Sequence, residues 1–188
     1  MTRQPAIDLP RRLFTVEEYH RLAEAGILKE EDRVELLYGE LIQMTPIKSP
    51  HADCVDKLSE WFILHFHGKA VTRTQNPLTI PAHSEPEPDL LLARLKEGGY
   101  KETHPKPEDT LLIVEVADSS IKKDRQVKLP LYASVGIPEC WLVVLPERTI
   151  EVHTQPGPEG YAQIHIYRPG DTIDTPTVAG LDVSGVLS

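Results

Sequence analysis

The feature that most constrains the fold lies between residues 111 and 145, where two apolar runs flank a segment patterned as a helix. The runs LLIVEVADSS and CWLVVL have the composition of buried strands. The segment KKDRQVKLPLYASVG between them predicts a helix, which Pro130 is expected to restrict or kink. A strand, a helix and a second apolar strand form a crossover connection. We therefore predict one crossover unit inside a mixed sheet.

The remaining patterns place further elements around this unit. Thr15 can cap a helix in FTVEEYHRLAEAG, and Glu18 completes a capping box. The alternation in RVELLYGELIQM breaks at Tyr38-Gly39 and predicts two antiparallel strands around a tight turn. HADCVDKLSEWFILHFH has the spacing of a second helix, and AVTRTQNPLTI is typical of an extended edge segment. TIEVHT and YAQIHIYR follow as an antiparallel meander, so the predicted class is α/β.

Two carboxylates stand at the ends of predicted strands. In HSEPEPDLLLAR, Asp89 directly precedes an apolar run, and Glu115 lies near the end of LLIVEVADSS. If these strands are neighbours, the two carboxylates converge, and converging carboxylates make a site for a hard cation such as Mg²⁺. Ala117 shares a strand face with Glu115 but offers no chemistry. The nearest cations follow on the next turn or helix, at Lys122, Lys123 and Lys128.

The charge and cysteine content exclude several classes of protein. The chain has 20 basic and 29 acidic residues, a net charge of −9, so no overall basic field is available to hold nucleic acid. A phosphate-bearing partner would need a local basic patch or a bridging metal ion. Cys54 and Cys140 are far apart, which argues against a disulfide framework or structural zinc. With no signal-peptide pattern and no apolar run of membrane-spanning length, we expect a cytoplasmic protein.

Several segments together resemble the Uma2 family of proposed endonucleases, also called DUF820, within the PD-(D/E)XK restriction-endonuclease-like superfamily. The resemblance rests on RVELLYGELIQMTP, EPEPD, VEVADSS and DRQVKLPLYASVGIPECWLV, in this order. It runs from about Phe14 to Leu181. The resemblance implies a restriction-endonuclease-like mixed sheet in a single domain over residues 14–188, preceded by an N-terminal extension over residues 1–13.

The resemblance also implies a reaction and a set of residues for it. Mg²⁺, or Mn²⁺ in its place, would be held by Asp89, Glu115 and the backbone carbonyl of Val116. The superfamily's lysine position falls on Ala117, a departure that Uma2-like sequences share, and their helical lysine matches Lys128. Glu35 matches a further acid in the first hairpin, with a possible second ion or an ordered water as its role.

Further expectations concern the partners of this site. Gln75 could orient a ligand of the ion through its side-chain amide. The expected substrate is nucleic acid, with DNA favoured. Cutting both strands of a duplex in concert needs two active sites, so we expect a homodimer, paired through the late strands or the exposed face of the second helix.

Alternative interpretations of the same residues remain open. Asp89 could cap a turn after the preceding proline, and Glu115 could pair with Arg125 at a sheet end. Lys128 could be a solvated partner of Asp124 one helical turn earlier. In that case the chain is a catalytically inactive nuclease-fold binding module, or an acidic domain that binds another protein.

The other polar residues near these segments have simple structural interpretations. Glu35 and Gln75 could be structural, and His51 could cap or start the second helix. Glu85 and Glu87 are expected in a solvated loop that could gate the site.

Overall fold

The structure is a computed structural model that describes residues 10–187. The predicted N-terminal extension therefore lies largely outside the described residues. The helices are α1 (Val16–Glu24), α2 (Ser49–Phe66), α3 (Ile121–Lys123), α4 (Leu129–Ser134) and α5 (Val183–Val186), with a π-helical segment, Asp124–Lys128, between α3 and α4. The first five strands are β1 (Val34–Leu37), β2 (Glu40–Gln43), β3 (Ala70–Thr74), β4 (Leu90–Arg94) and β5 (Thr110–Ala117). The last five are β6 (Glu139–Val144), β7 (Thr149–Gly157), β8 (Gly160–Tyr167), β9 (Thr172–Asp174) and β10 (Ala179–Asp182).

A six-stranded mixed sheet forms the centre of the molecule, in the order β3-β4-β5-β6-β7-β8. Only the β5–β6 pair is parallel, and the helical segment from α3 to α4 connects these two strands. The other neighbouring strands of this sheet pair antiparallel. The crossover unit, the mixed sheet and the late meander are therefore as the sequence predicts.

Two smaller pairs, β1–β2 and β9–β10, accompany the central sheet. The β1–β2 turn has positive φ at both Tyr38 and Gly39, the conformation of a tight hairpin turn. A Cβ added to Gly39 would lie 2.6 Å from the Cβ of Leu13, so this turn has room only for glycine. The hairpin predicted from the Tyr38-Gly39 break is thus present. The β9–β10 pair and α5 follow the meander and were not expected.

Apolar side chains cover both faces of the central sheet. On one face α2 and α5 pack on the sheet, with Phe62 against Trp141 at a ring distance of 5.7 Å. On the other face α4 contributes Leu129 and Tyr132 to a second cluster, which also includes Ala117. Ala117 is fully buried there, so a lysine at this position would have to displace packed side chains.

The N-terminal helix is closed by the expected capping box. The Glu18 N–H donates to Thr15 Oγ1 at 3.2 Å, and the Thr15 N–H donates to Glu18 Oε2 at 3.1 Å. Across residues 10–187 we find no helix with the length and apolar character needed to cross a bilayer.

Candidate functional site

A cleft opens where β4 begins and β5 ends, and both predicted carboxylates line it. Asp89 directly precedes β4, and Glu115 lies in β5, the neighbouring strand. Val116 lines the same cleft, and its backbone N–H donates to Asp89 Oδ2 at 2.9 Å. This hydrogen bond fixes the Asp89 carboxylate beside the residue that follows Glu115, so the two acids meet at one edge of the sheet.

Asp89 is held by two further side chains. His51 Nε2, from the first turns of α2, lies 3.1 Å from Asp89 Oδ2, and the Gln75 amide donates to Asp89 Oδ1 at 3.3 Å. Gln75 also donates its backbone N–H to the Asp89 carbonyl at 3.1 Å. Burial alone raises the pKa of Asp89, but His51, the Val116 N–H and the Lys128 ammonium together outweigh it, so the pKa is lowered. The carboxylate is therefore stabilised in its ionised form.

Glu115 is enclosed by groups from the helical segment. The residue is only 3% exposed, and Lys128 Nζ lies 3.1 and 3.2 Å from its two oxygens. The Tyr132 hydroxyl donates to Glu115 Oε1 at 2.6 Å. Burial raises the pKa of Glu115, and the Lys128 ammonium opposes that shift without cancelling it. Burial alone would lower the pKa of Lys128, but Glu115 and Glu35 raise it, so the ammonium stays charged.

Glu35, from β1, lies behind this pair and is fully buried. Its Oε2 is 3.0 Å from Lys128 Nζ, and its Oε1 accepts a hydrogen bond from Lys123 Nζ at 2.7 Å. The Glu87 N–H donates to Glu35 Oε2 at 3.2 Å. Burial raises the pKa of Glu35, but the two lysines outweigh it and the pKa is lowered. Each Glu35 oxygen is thus in contact with an ammonium group, and a second ion or an ordered water at Glu35 stays a prediction.

The π-helical segment explains how Lys128 reaches the carboxylates. The Leu129 N–H bonds to the Asp124 carbonyl, five residues back, in the wider π pattern. Pro130 follows at once, has no N–H to donate and would clash with a carbonyl in a regular α-helix. The wider π turn leaves room for the Pro130 ring. The irregularity that the sequence predicted at Pro130 is therefore a π turn in the helix.

The ion pairs of this region differ from the simple structural alternatives. Arg125 pairs with Glu147 and Glu151, and Glu115 takes Lys128 as its cation. Lys128 makes its short contacts with Glu115 and Glu35, although it follows Asp124 by four residues. The lysine is thus a shared cation between two buried carboxylates.

The oxygens of Asp89 and Glu115 leave room for a hard cation. Among the described residues, Asp89 Oδ1 and Glu115 Oε2 each accept one hydrogen bond, and a carboxylate oxygen can accept about two. In residues 10–187 no three His, Cys, Asp or Glu side chains gather closely enough to hold an ion alone. Mg²⁺ usually takes one or two carboxylates and completes its shell with waters. The all-oxygen donor set therefore fits Mg²⁺ or Mn²⁺.

Two side chains at the site were not assigned to it from the sequence. His51 was interpreted as a helix start, yet it precedes the buried Val55 and Leu58 by four and seven residues, the spacing of one helix face. Tyr132 follows Lys128 by four residues. Helical spacing from Val55 and Leu58, which were predicted in the second helix, could have indicated that His51 faces inward. The same spacing from Lys128 could have indicated Tyr132.

The expectation of a solvated loop at Glu85 is wrong. Glu85 is buried, with His20 Nε2 2.7 Å from one oxygen and the Thr79 hydroxyl donating to the other at 2.7 Å. Its backbone N–H donates to the Leu36 carbonyl, which ties the loop to β1. Glu87 is half-buried and lines the cleft, and burial raises its pKa. The loop is a packed wall of the site.

Comparison with known proteins identifies a family and a solved structure with a similar fold. The family profile described as "Uma2: Putative restriction endonuclease" matches residues 16–185. The chain is similar to a crystal structure from Anabaena variabilis ATCC 29413, described as a "putative nuclease belonging to DUF820". That similarity has a TM-score of 0.71 at 15% sequence identity and covers 93% of this chain and 97% of the other. The shared fold agrees with the expected nuclease-like architecture. No curated protein matches the chain.

Proposed function

Because the chain belongs to the Uma2 family, described as "Putative restriction endonuclease", we propose that it is a metal-dependent endonuclease acting on DNA. The observation that supports this proposal is the meeting of Asp89, Glu115 and the Lys128 ammonium at one cleft. Two carboxylates that can hold a divalent ion and a fixed cation beside them are groups that metal-dependent phosphodiester hydrolysis uses.

Each group of the cleft has a role in the proposed reaction. Asp89, Glu115 and the Val116 carbonyl would hold Mg²⁺, which would supply Lewis-acid chemistry for a phosphodiester oxygen and for a water. Lys128 presents a buried ammonium that stabilises negative charge in the transition state and orients the attacking water. Glu35 holds that ammonium from behind.

The groups around Asp89 act on its orientation. An ionised carboxylate only accepts hydrogen bonds, so His51 presents an N–H at Nε2 to Asp89 Oδ2. Gln75 donates to the other oxygen. Together they fix the rotation of the carboxylate, and among the described residues Oδ1 accepts only the Gln75 hydrogen bond, which leaves it able to accept one more. Such hydrogen-bonding partners of metal ligands affect ion affinity as well as rate.

The choice of DNA over an uncharged substrate is supported by basic residues along the cleft. Arg33, Lys48 and Lys123 line it together with Lys128. Lys48 pairs with Asp118 at 2.9 Å, and Arg33 is exposed to solvent. These four cations lie among five acidic lining residues, Glu87, Asp89, Glu115, Asp118 and Asp124, so a phosphate would contact individual cations or a bridging metal ion. We propose a homodimer as the active form, since two clefts are needed to cut both strands of a duplex together.

A panel of single-stranded, duplex and branched DNA and RNA, incubated with and without Mg²⁺ or Mn²⁺, tests the proposal. We expect cleavage of DNA that requires the divalent ion. An ion that binds at the cleft without any cleavage would favour a nuclease-fold binding module. Absence of both ion binding and cleavage would leave the carboxylates as structural ion pairs and remove the proposed activity.

The His51→Ala variant is expected to lose about 10- to 100-fold in Mn²⁺ affinity and in cleavage rate, because Asp89 loses the group that fixes Oδ2. His51→Gln, which can place an amide N–H near the same oxygen, is expected to recover part of both. Calorimetric titration and timed cleavage measure the two effects. His67→Ala is the control, since His67 is exposed just beyond α2. Unchanged Mn²⁺ affinity in His51→Ala would contradict the role.

The Arg33→Gln variant is expected to weaken DNA binding without affecting Mn²⁺ binding. If Arg33 contacts one phosphate, the slope of log K against log salt concentration should become shallower by about 1. Fluorescence anisotropy in a salt series, with Ca²⁺ in place of Mg²⁺ to prevent cleavage, measures the slope. Arg168→Gln makes the same charge change away from the cleft and should leave the slope as in the wild type. Equal slopes in the Arg33 variant and the wild type would exclude the phosphate contact.

A further inference from the structure

The two edges of the central sheet differ in how they are protected against another strand. β3 forms one edge, spans Ala70–Thr74, carries Arg73 and is followed closely by Pro77. Charged residues and prolines are the usual means by which an edge strand resists pairing with another chain. The sequence of the β3 edge therefore disfavours pairing with a strand of another chain.

The opposite edge, β8, lacks these features. Its sequence, GYAQIHIY, contains no proline, lysine, arginine, aspartate or glutamate over Gly160–Tyr167. In the described part of the chain β8 pairs with β7 along one side and ends the sheet on the other. Ile164 and Ile166 are 55% and 50% exposed, and they share one face of the strand. A long, uncharged and apolar edge of this kind favours pairing with a further strand.

We propose that β8 is the interface of a symmetric homodimer, in which β8 of one copy pairs antiparallel with β8 of a second copy. Antiparallel pairing of identical strands about a two-fold axis satisfies the outward backbone groups of both copies. In the register that places the two His165 residues opposite each other, Ile164 of each copy faces Ile166 of the other. The two central sheets join into one continuous sheet.

The charge of the chain favours a second copy as the occupant of this edge. Each copy carries a net charge of −9, so two copies repel each other on average. The β8 edge has no lysine, arginine, aspartate or glutamate, so it adds no local charge repulsion and offers no such charge for an acidic or basic peptide to recognise. A two-fold dimer also pairs the β8 edges of both copies with each other. The remaining sheet edges are the two β3 strands, which disfavour pairing, so no further copy is expected to add to the sheet.

Sedimentation equilibrium of the full chain over about 1 to 100 μM tests the proposal. We expect the wild type to be dimeric in the upper part of this range. Ile164→Lys places like charges across the two-fold axis, which costs several kcal/mol, so its dimer dissociation constant should rise at least about 100-fold. Ile63→Lys is the matched control, because Ile63 is an isoleucine in α2 with 53% exposure, and it should remain as dimeric as the wild type.

Hydrogen exchange provides a second measurement that does not depend on a variant. Amides in Gly160–Tyr167 that point away from β7 should be protected at high concentration and lose that protection on dilution. A monomeric wild type at 100 μM would overturn the proposal. So would dissociation by Ile63→Lys with no effect of Ile164→Lys, which would place the interface on α2. Because assembly is measured without DNA, a failed cleavage assay would count against the proposed function and leave this result unaffected.

Discussion

The Asp89→Asn variant is expected to cleave DNA more than about 100-fold more slowly than the wild-type chain and to lose its stabilisation by Mn²⁺. Asparagine keeps the shape of the side chain but removes the negative charge that a divalent ion requires. The effect should exceed the 10- to 100-fold typical of residues that only orient a ligand, because Asp89 is proposed to contact the ion itself.

Two measurements separate this expectation from simple unfolding. Thermal unfolding with and without Mn²⁺ should show an ion-dependent rise in Tm for the wild type and none for Asp89→Asn. Asp118→Asn is the matched control, because Asp118 lines the same cleft but pairs with Lys48. It should keep both the rise in Tm and most of the cleavage. Equal ion-dependent stabilisation of Asp89→Asn and the wild type would exclude Asp89 as a ligand.

The sequence predicted the parts of the fold that have long, consistent patterns. β5 and β6 are apolar along most of their length, and the segment between them has helical spacing, so these patterns alone were sufficient to predict the crossover unit. The sequence predicted that Asp89 and Glu115 converge only if their two strands are neighbours. Patterns in a single sequence locate strands but do not show which of them pair. The observed β4–β5 pairing supplied that missing condition.

The parts that the sequence did not predict depend on contacts between distant residues. Glu85 is buried because His20, 65 positions away, and Thr79 satisfy its oxygens, and no local pattern shows such partners. β9 and β10 are too short to show an alternation, at 3 and 4 residues. The π turn that brings Lys128 to Glu115 arises from the conflict between Pro130 and the helix around it. The position of Pro130 shows where the helix is irregular, but it does not show that the Lys128 side chain points toward Glu115.

The Lys128→Met variant is expected to lose about 3–5 kcal/mol of unfolding free energy, the largest stability effect that we predict. Its ammonium lies between Glu35 and Glu115, which are 0% and 3% exposed, so its loss leaves two buried carboxylates without their shared cation. Denaturant titration measures this loss. For a chain of this size it corresponds to a decrease in Tm of about 6–20 °C.

Cleavage by Lys128→Met should be measured at a temperature where the variant remains folded. We expect the rate to fall about 10²- to 10³-fold, as for removal of a charge-stabilising group, and Mn²⁺ affinity to change far less. Lys123→Met is the matched control, because Lys123 contacts Glu35 from a side chain that is 24% exposed. Its loss of unfolding free energy should be smaller than that of Lys128→Met, because Glu35 keeps its contact with Lys128 and the Lys123 side chain lies nearer to solvent. Wild-type cleavage in folded Lys128→Met would exclude the proposed role in the reaction.

A double-mutant cycle with Glu35→Gln tests whether Lys128 acts as the shared cation. In the wild type, Glu35→Gln removes a favourable partner of Lys128 and Lys123, so it should lower the unfolding free energy. In the Lys128→Met background Glu35 keeps only its contact with Lys123, so the same change should lower the unfolding free energy by much less than in the wild type. This difference between the two backgrounds, measured by denaturant titration of all four proteins, is the coupling energy between the two sites. Equal destabilisation by Glu35→Gln in both backgrounds would show that Lys128 does not compensate Glu35.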